Sequence, residues 1–346
     1  MAATIKDVAR KAKVSTATVS LVIHNNDRIS SETKTRVKRA IQELNYHPFR
    51  SARGLASQKS GNLGFIVTDD HFSRSEPFYT QIFLGTEFQA RESEYYVLLT
   101  TIPSDFNERE NTPRFVLEKN VEGIILAGKI PHKLIQKLDN YTIPLVFIDY
   151  YFSPSQHPVV MIDNISGGLK ATQHLIDCGH KDIAFIAGDL QHPSISERFQ
   201  GYKMALQSAG IPFREELTQY DEPYPAREQG YLAIKKLLNR KVQFTAIFAC
   251  NDAMAIGIVQ YLKEKNIPVP SAISVIGFDD VEANLSLDPP LTSIRVPKVE
   301  MGIQAVKIMT EILTRKHTGP RKLLMPVELV IRGSTCKRQG EVSLYK

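Results

Sequence analysis

Residues 1–60 carry Lys6, Arg10, Lys11, Lys13, Arg28, Lys34, Arg36, Lys38, Arg39, Arg50, Arg53 and Lys59 against Asp7, Asp27, Glu32 and Glu43. That segment holds +8 of charge in a chain whose total is +6, so the rest sums to −2. Cations gathered at one end suit a polyanion partner; the plainer alternative is a solvated basic tail. A second set of residues offers different chemistry. Asn251, Asp279 and Asp163 each stand at the carboxyl end of a strand-like run, and Arg198 follows another such run. Ligands of open α/β sheets bind outside those strand ends. An amide, carboxylates and a guanidinium supply the donors and acceptors that a polyhydroxylated molecule needs. Each also has a structural reading: Asp279 and Asp280 can cap the segment that follows, Asn251 the helix beginning at Asp252, and Arg198 can be an ion-pair partner.

Other chemistries find no support. Cys178, Cys250 and Cys336 show neither disulfide nor metal spacing, and His71, His174 and His180 have no metal-ligand company. No phosphate loop or GxGxxG turn occurs. The expectation is therefore a protein without metal, cofactor or catalytic residues, and not an enzyme. The apolar runs, such as 183–187 and 245–250, are strand-length, and the stretch MAATIKDVARKAKVS lacks the apolar core of a secretory signal. A cytoplasmic protein without a membrane partner is expected.

The basic segment divides into three short helices. Thr4 can cap a helix whose apolar residues Ile5, Val8, Ala9 and Ala12 recur at helical spacing, with Asp7 in its first turn. After a break at Lys13 and Val14, Ser15 caps a second helix bearing Ala17, Val19 and Val22. A third begins at Ser30 or Ser31, turns Val37, Ala40, Ile41 and Leu44 inward, and ends by Pro48. Helices joined by so tight a turn form a helix-turn-helix, whose second helix enters the major groove. From Gly61 onward strand-like runs at 63–68, 96–101, 121–127, 145–149, 159–163, 183–188, 245–249 and 274–278 alternate with amphipathic helices. That pattern predicts α/β architecture with parallel sheets covered on both faces.

The run IKDVARKAKVSTATVS, the segment through LNYHPFR and the motif ARGLAS together resemble the headpiece of the LacI/GalR transcription regulators. The resemblance implies that Thr16 and Ala17 read base edges. Ser15, Thr18 and Ser20 fall where the family contacts phosphate or positions the recognition helix, and Thr4 and Asn25 fall within the same DNA-facing set. It also implies that residues 50–60 form a hinge that orders on DNA, with Leu55 as the apolar wedge in the minor groove and Arg53 beside it. Linker or core packing is the structural alternative for Leu55. One position departs from the family: Leu21 stands where arginine is usual, and arginine can grip a guanine where leucine cannot. Leu21 either touches a thymine methyl or simply packs.

The later segments VVMIDNISGG, SERFQGYKMAL, FACNDAMAIG, ISVIGFDD and PPLTSIRVP are similar to the two-lobed, periplasmic-binding-protein-like domain of the same family. The implied division is a headpiece over 1–49, a hinge and linker over 50–60, and an effector-binding and dimerisation domain over 61–346. Lobe crossings are expected near 160–163, 288–292 and 321–326. The resemblance implies effector contacts at Phe78, Tyr79, Asp163, Arg198, Tyr224, Asn251 and Asp279, with core packing the alternative for Phe78. The implied function is a repressor that binds a near-palindromic double-stranded operator as a homodimer, with the helix at 81–93 near the dimer face, and that is controlled by a sugar-like small molecule. Control mainly by a protein co-effector, or a cytoplasmic sugar-binding protein without regulatory role, are the alternatives. Leu55→Lys is expected to weaken operator binding by more than about tenfold, because separating one base step costs on the order of a few kcal/mol. Operator titration checks it, and unchanged affinity removes the wedge.

Overall fold

Three helices build the amino-terminal unit: α1 (Ile5–Ala12), α2 (Thr16–Ile23) and α3 (Ser31–Glu43). The computed structural model describes residues 3–23, 28–46, 60–71, 77–151, 156–222, 224–316, 319 and 321–338. The Asp7 carboxylate accepts the backbone N–H of Thr4 at 2.9 Å and its hydroxyl at 2.6 Å, which fixes the start of α1. These bonds hold the Asp7 carboxyl below its ordinary range. Lys13, in the left-handed region at φ 52°, ends α1 and turns the chain into α2. Arg36 on α3 donates to the Ala12 carbonyl at 2.9 Å, clamping α3 onto that turn. Val8, Ala9, Ala12, Val19, Val22, Val37, Ala40 and Tyr46 close the core.

Residues 62–346 form the second compact unit. Its elements are β1 (Asn62–Thr68), α4 (Phe78–Glu92), β2 (Tyr96–Ile102), α5 (Arg114–Leu117), β3 (Gly123–Ala127), α6 (His132–Asn140), β4 (Leu145–Ile148) and β5 (Val159–Ile162). They continue with α7 (Asn164–Asp177), β6 (Ile183–Gly188), α8 (Pro193–Ser208), β7 (Thr218–Glu222), α9 (Arg227–Asn239), β8 (Ala246–Ala249), α10 (Asp252–Glu264) and β9 (Ser274–Asp279). The last are β10 (Thr292–Arg295), α11 (Lys298–Leu313), β11 (Lys322–Met325) and β12 (Glu328–Val330). Two six-stranded sheets result, ordered β11-β5-β4-β3-β1-β2 and β12-β10-β9-β8-β6-β7. Among the described residues all pairings are parallel except β10 with β12. The α/β fold expected from alternating strands and helices forms, in the two lobes that the family resemblance implies.

The chain passes between lobes at Asp163, at 296–297 and at 326–327, where β5, β10 and β11 give way to elements of the other lobe. The second passage lies downstream of the expected 288–292. Thr292–Arg295 adds a strand, β10, to the second sheet before the chain leaves. Four residues after the PPL turn were too short a pattern to reveal it. Polar β7 lacks the apolar run that marks a buried strand, and the edge strands β11 and β12 are short.

Glycines set how closely the covering helices approach. A Cβ on Gly168 of α7 would sit 2.2 Å from the Arg198 carbonyl oxygen on α8, and one on Gly201 would sit 2.2 Å from the Ile165 carbonyl oxygen. Backbone thus meets backbone where Arg198 is anchored. Gly168→Ala gains at most about 1 kcal/mol of helix propensity but must drive the helices apart, an overpacking cost of about 1–3 kcal/mol. A net loss is expected, read as a lower urea midpoint; an unchanged or higher midpoint refutes the close packing.

Candidate functional site

A cavity of about 850 Å³ lies between the lobes, at the carboxyl ends of both sheets. The first lobe contributes Asp69, Asp70, Phe78, Tyr79, Lys129 and Asp149; the second contributes Asp189, Ser194, Arg198, Tyr224, Asn251 and Asp279, among others. Its size suits a small organic ligand.

Arg198 is the most constrained of these residues, only 5% exposed on α8. Its Nε donates to Asn164 Oδ1 at 2.9 Å and its Nη1 to the Cys250 carbonyl at 2.7 Å. Its guanidinium lies 3.7 Å from the centre of the Phe278 ring. Nη2 stands 3.6 Å from Asp279 Oδ1, close enough for charge attraction but too long for a hydrogen bond. Asp279 Oδ1 is buried without a hydrogen-bond partner. Burial pushes the Asp279 carboxyl above the ordinary carboxylate range, against the pull of Arg198. Its backbone sits at φ 111°, a conformation that costs a non-glycine residue about 1–3 kcal/mol. Lys298, at the start of α11, donates to the carbonyls of Asp279 and, at 3.4 Å, Asp280; burial lowers its ammonium pKa.

The opposite wall centres on Asp149, which accepts the Tyr79 hydroxyl at 2.9 Å and, from the other lobe, the Ser194 hydroxyl at 2.9 Å. Tyr79 is buried, and burial followed by the Asp149 charge raises its phenol well above the usual value. Phe78 packs edge-on against Tyr79 with ring centres 5.0 Å apart. Lys129 reaches Asp189 across the cleft at 3.7 Å, and Glu197 reaches Lys322 at 3.2 Å. Tyr224, half exposed at 51%, stands at the mouth.

Two expected contacts turn out differently. Asp163 is absent from the cavity wall; its Oδ1 caps α7 by accepting Ser166 N–H at 2.9 Å, because it is the last residue before a helix whose first amides need an acceptor. Asn251 lines the cavity but is also a cap: Oδ1 accepts Met254 N–H at 2.9 Å and Nδ2 donates to the Pro225 carbonyl at 2.7 Å. One lone pair and one amide hydrogen are left for a ligand. Asp149, Asp189, Asp69 and Ser194 were not singled out in the sequence, although the first three follow strand-like runs and the rule used for Asp279 applies equally to them.

Comparison with known proteins agrees with this architecture. The model of "Periplasmic binding proteins and sugar binding domain of LacI family" matches residues 60–333, and that of "Bacterial regulatory proteins, lacI family" matches residues 4–48. The chain belongs to the LacI family. The HTH-type transcriptional repressor PurR of Pasteurella multocida (strain Pm70) is 35% identical over 338 residues, 97% of this chain and 99% of its own. Among solved structures, the transcriptional regulator CelR–cellobiose complex is 32% identical, covering 96% of this chain and 99% of that one with a TM-score of 0.75. The lac repressor dimer bound to operator and the anti-inducer ONPF is 26% identical, covering 97% and 100% with a TM-score of 0.80.

In this LacI-family chain the headpiece residues divide into scaffold and surface. Ser15 Oγ accepts Thr18 N–H at 3.0 Å and pairs with the Thr18 hydroxyl at 2.9 Å, capping α2. That pairing consumes one of the two hydroxyl protons and leaves the other for an acceptor such as phosphate. Both polar hydrogens of Thr4 are spent on Asp7. Thr16, Ala17 and Leu21 are exposed on α2, while Ser20 is half-buried. Asn25, Arg53 and Leu55 lie outside the described residues. Asn251→Ala is expected to lower stability by about 1 kcal/mol through loss of the helix cap, measured as a shift in urea midpoint; no shift would show that the cap contributes nothing.

Proposed function

We propose that the protein is a repressor that binds a near-palindromic operator as a homodimer and is controlled by an uncharged sugar held between its lobes. The observation that carries the ligand reading is Asp279: a buried carboxylate oxygen with no hydrogen-bond donor, facing a cavity large enough for a saccharide. Leaving such an acceptor unsatisfied costs about 1–3 kcal/mol, which a sugar hydroxyl would recover. Relatives support the same reading, since CelR is complexed with cellobiose and the lac repressor is a dimer on its operator.

Electrostatics favour a neutral ligand. Asp69, Asp70, Asp149, Asp189 and Asp279 line the cavity against Lys129, Arg198 and Arg227. Each cation already has a partner: Lys129 pairs with Asp189, Arg198 binds Asn164 and the Cys250 carbonyl, and Arg227 binds Gln260 at 2.8 Å. A phosphate would have to displace the buried partners of Arg198 beside four carboxylates and the Asp279 carboxyl. Phe78 and Tyr224 offer ring faces for the apolar side of a pyranose. The carboxylates serve binding, and we propose no turnover.

In this mechanism the ligand bridges Arg198 and Asp279 of one lobe to Asp149 of the other and changes the angle between lobes. That angle governs how the hinge at 50–60 meets its counterpart in the dimer, and so the affinity for operator. The coupling is reciprocal, about 1–3 kcal/mol in typical cases. Calorimetric titration with a panel of neutral mono- and disaccharides and their phosphates tests it. Binding of at least one neutral sugar, weakened more than about tenfold by Asp279→Asn, is the expected result. Preferential binding of sugar phosphates would overturn the neutral-ligand reading.

A further inference from the structure

Helix α2 has the sequence TATVSLVI and contains no lysine, arginine, asparagine, glutamine or acid. It therefore lacks every side chain that can make a paired hydrogen-bond contact with guanine or adenine in the major groove. The groups it does expose are the Thr16 side chain, the Ala17 methyl and the Leu21 isobutyl. Leu21 is 39% exposed and does not join the headpiece core, although its neighbours Val19, Val22 and Ile23 all do. Ala17 and Leu21 are four residues apart, so they stand one above the other on the same face. Ala17 and Leu21 thus form a short apolar strip on the solvent-facing side of this helix, beside the hydroxyl-bearing Thr16 and Ser20.

The surroundings of that strip select its occupant. Residues 1–60 carry a net +8; the neighbouring helices carry Lys6, Arg10, Lys11, Lys34, Lys38 and Arg39, and the turn into α2 carries Lys13. An uncharged apolar strip on so basic a unit fits a polyanion whose apolar groups lie deep between its charges. Duplex DNA has that form: phosphates flank the major groove, and pyrimidine 5-methyl groups project into it as its apolar features.

Resting on the reading of the headpiece as operator-binding, we propose that α2 recognises pyrimidine 5-methyl groups, with Leu21 and Ala17 each packed on a thymine in every half-site. Four helical residues span about 6 Å at 1.5 Å each, and successive base pairs are about 3.4 Å apart. The two thymines are therefore about two steps apart when the helix follows the groove. The operator carries an A·T pair where a headpiece with arginine at position 21 would take guanine. Methylated cytosine presents the same group and is read as a thymine equivalent at these positions.

The test uses the full-length protein. Duplexes are enriched from a random pool, and each thymine of the enriched half-site is replaced in turn by deoxyuridine, which removes only the methyl. Binding is measured by fluorescence anisotropy at fixed salt. At two positions per half-site the replacement weakens binding about fourfold, the factor expected from exposing one methyl-sized group. Replacing both half-sites together multiplies the factors. Leu21→Ala abolishes the uracil sensitivity at one of those positions and leaves the other; because Leu21 lies outside the core, the headpiece still folds, which circular dichroism verifies. Leu21→Arg moves the preference at that position toward G·C. At the same position 5-methylcytosine binds better than cytosine. If an enriched duplex is bound but is indifferent to uracil, or if Leu21→Ala keeps the sensitivity, methyl recognition by α2 is wrong while operator binding stands. If no duplex is enriched over the pool, operator binding fails and this proposal fails with it.

Discussion

Arg198 stacked on the Phe278 ring, and bonded at the same time to Asn164 and to the Cys250 carbonyl, is the constraint around which the second lobe is arranged. A guanidinium this deeply buried carries a desolvation cost of several kcal/mol unless its donors are satisfied. Its partners come from three places: the start of α7 just after the first lobe crossing, the end of β8, and the end of β9. Satisfying one side chain therefore fixes the relative positions of three strand ends. The small residues nearby serve the same contact. A Cβ on Gly167 would sit 2.6 Å from the Phe278 ring, so glycine there leaves room for the aromatic face on which Arg198 rests.

The same arrangement explains the poise of the cavity. Arg198 is held by groups that do not depend on a ligand, whereas Asp279 beside it is held in a strained backbone with one oxygen unsatisfied. Arg198 thus has buried partners for its Nε and Nη1, and the adjacent acceptor is left in need. Across the cleft the Ser194–Asp149 hydrogen bond and the Lys129–Asp189 and Glu197–Lys322 pairs tie the lobes together. The two ion pairs involve partly exposed side chains, so water and salt weaken them. Breaking them costs little, so under the proposed function they would not hold the cleft at one fixed angle.

Legibility in the sequence followed the length and regularity of each pattern. The runs of β-branched and aliphatic residues at β1, β6 and β9 announced buried parallel strands to within a residue, since burial on both faces requires continuous apolarity. The strands β10, β11 and β12 did not announce themselves. They are short, and β11 and β12 sit at the edges of their sheets, where one flank is open and polar residues are tolerated. Arg198 and Asp279, which line the cavity, are marked in the sequence by motif and by their place after strands. Asp163 satisfied the same positional rule yet serves as a helix cap, because strand end and helix start coincide there. Position alone does not distinguish a carboxylate that lines the cavity from one aimed at its own backbone amides. Asp149 was passed over although its strand was recognised, since only its hydrogen bonds to Tyr79 and Ser194 reveal which way it faces.

The triple passage of the chain between lobes has a consequence for biosynthesis. The first sheet receives its edge strand β11 from residues 322–325 and its covering helix α11 from residues 298–313. The second receives β12 from residues 328–330 and is pinned by Ser334, whose hydroxyl accepts from Thr292 N–H at 2.8 Å and donates to the Val275 carbonyl at 2.6 Å. On the ribosome, then, neither sheet can be completed until residues 322–330 have emerged, whereas the three-helix unit draws its core from residues 8–46 alone. Nascent chains halted after β2 and before residue 322 would carry a finished three-helix core together with unfinished apolar sheets, and these are the species that chaperones must shelter.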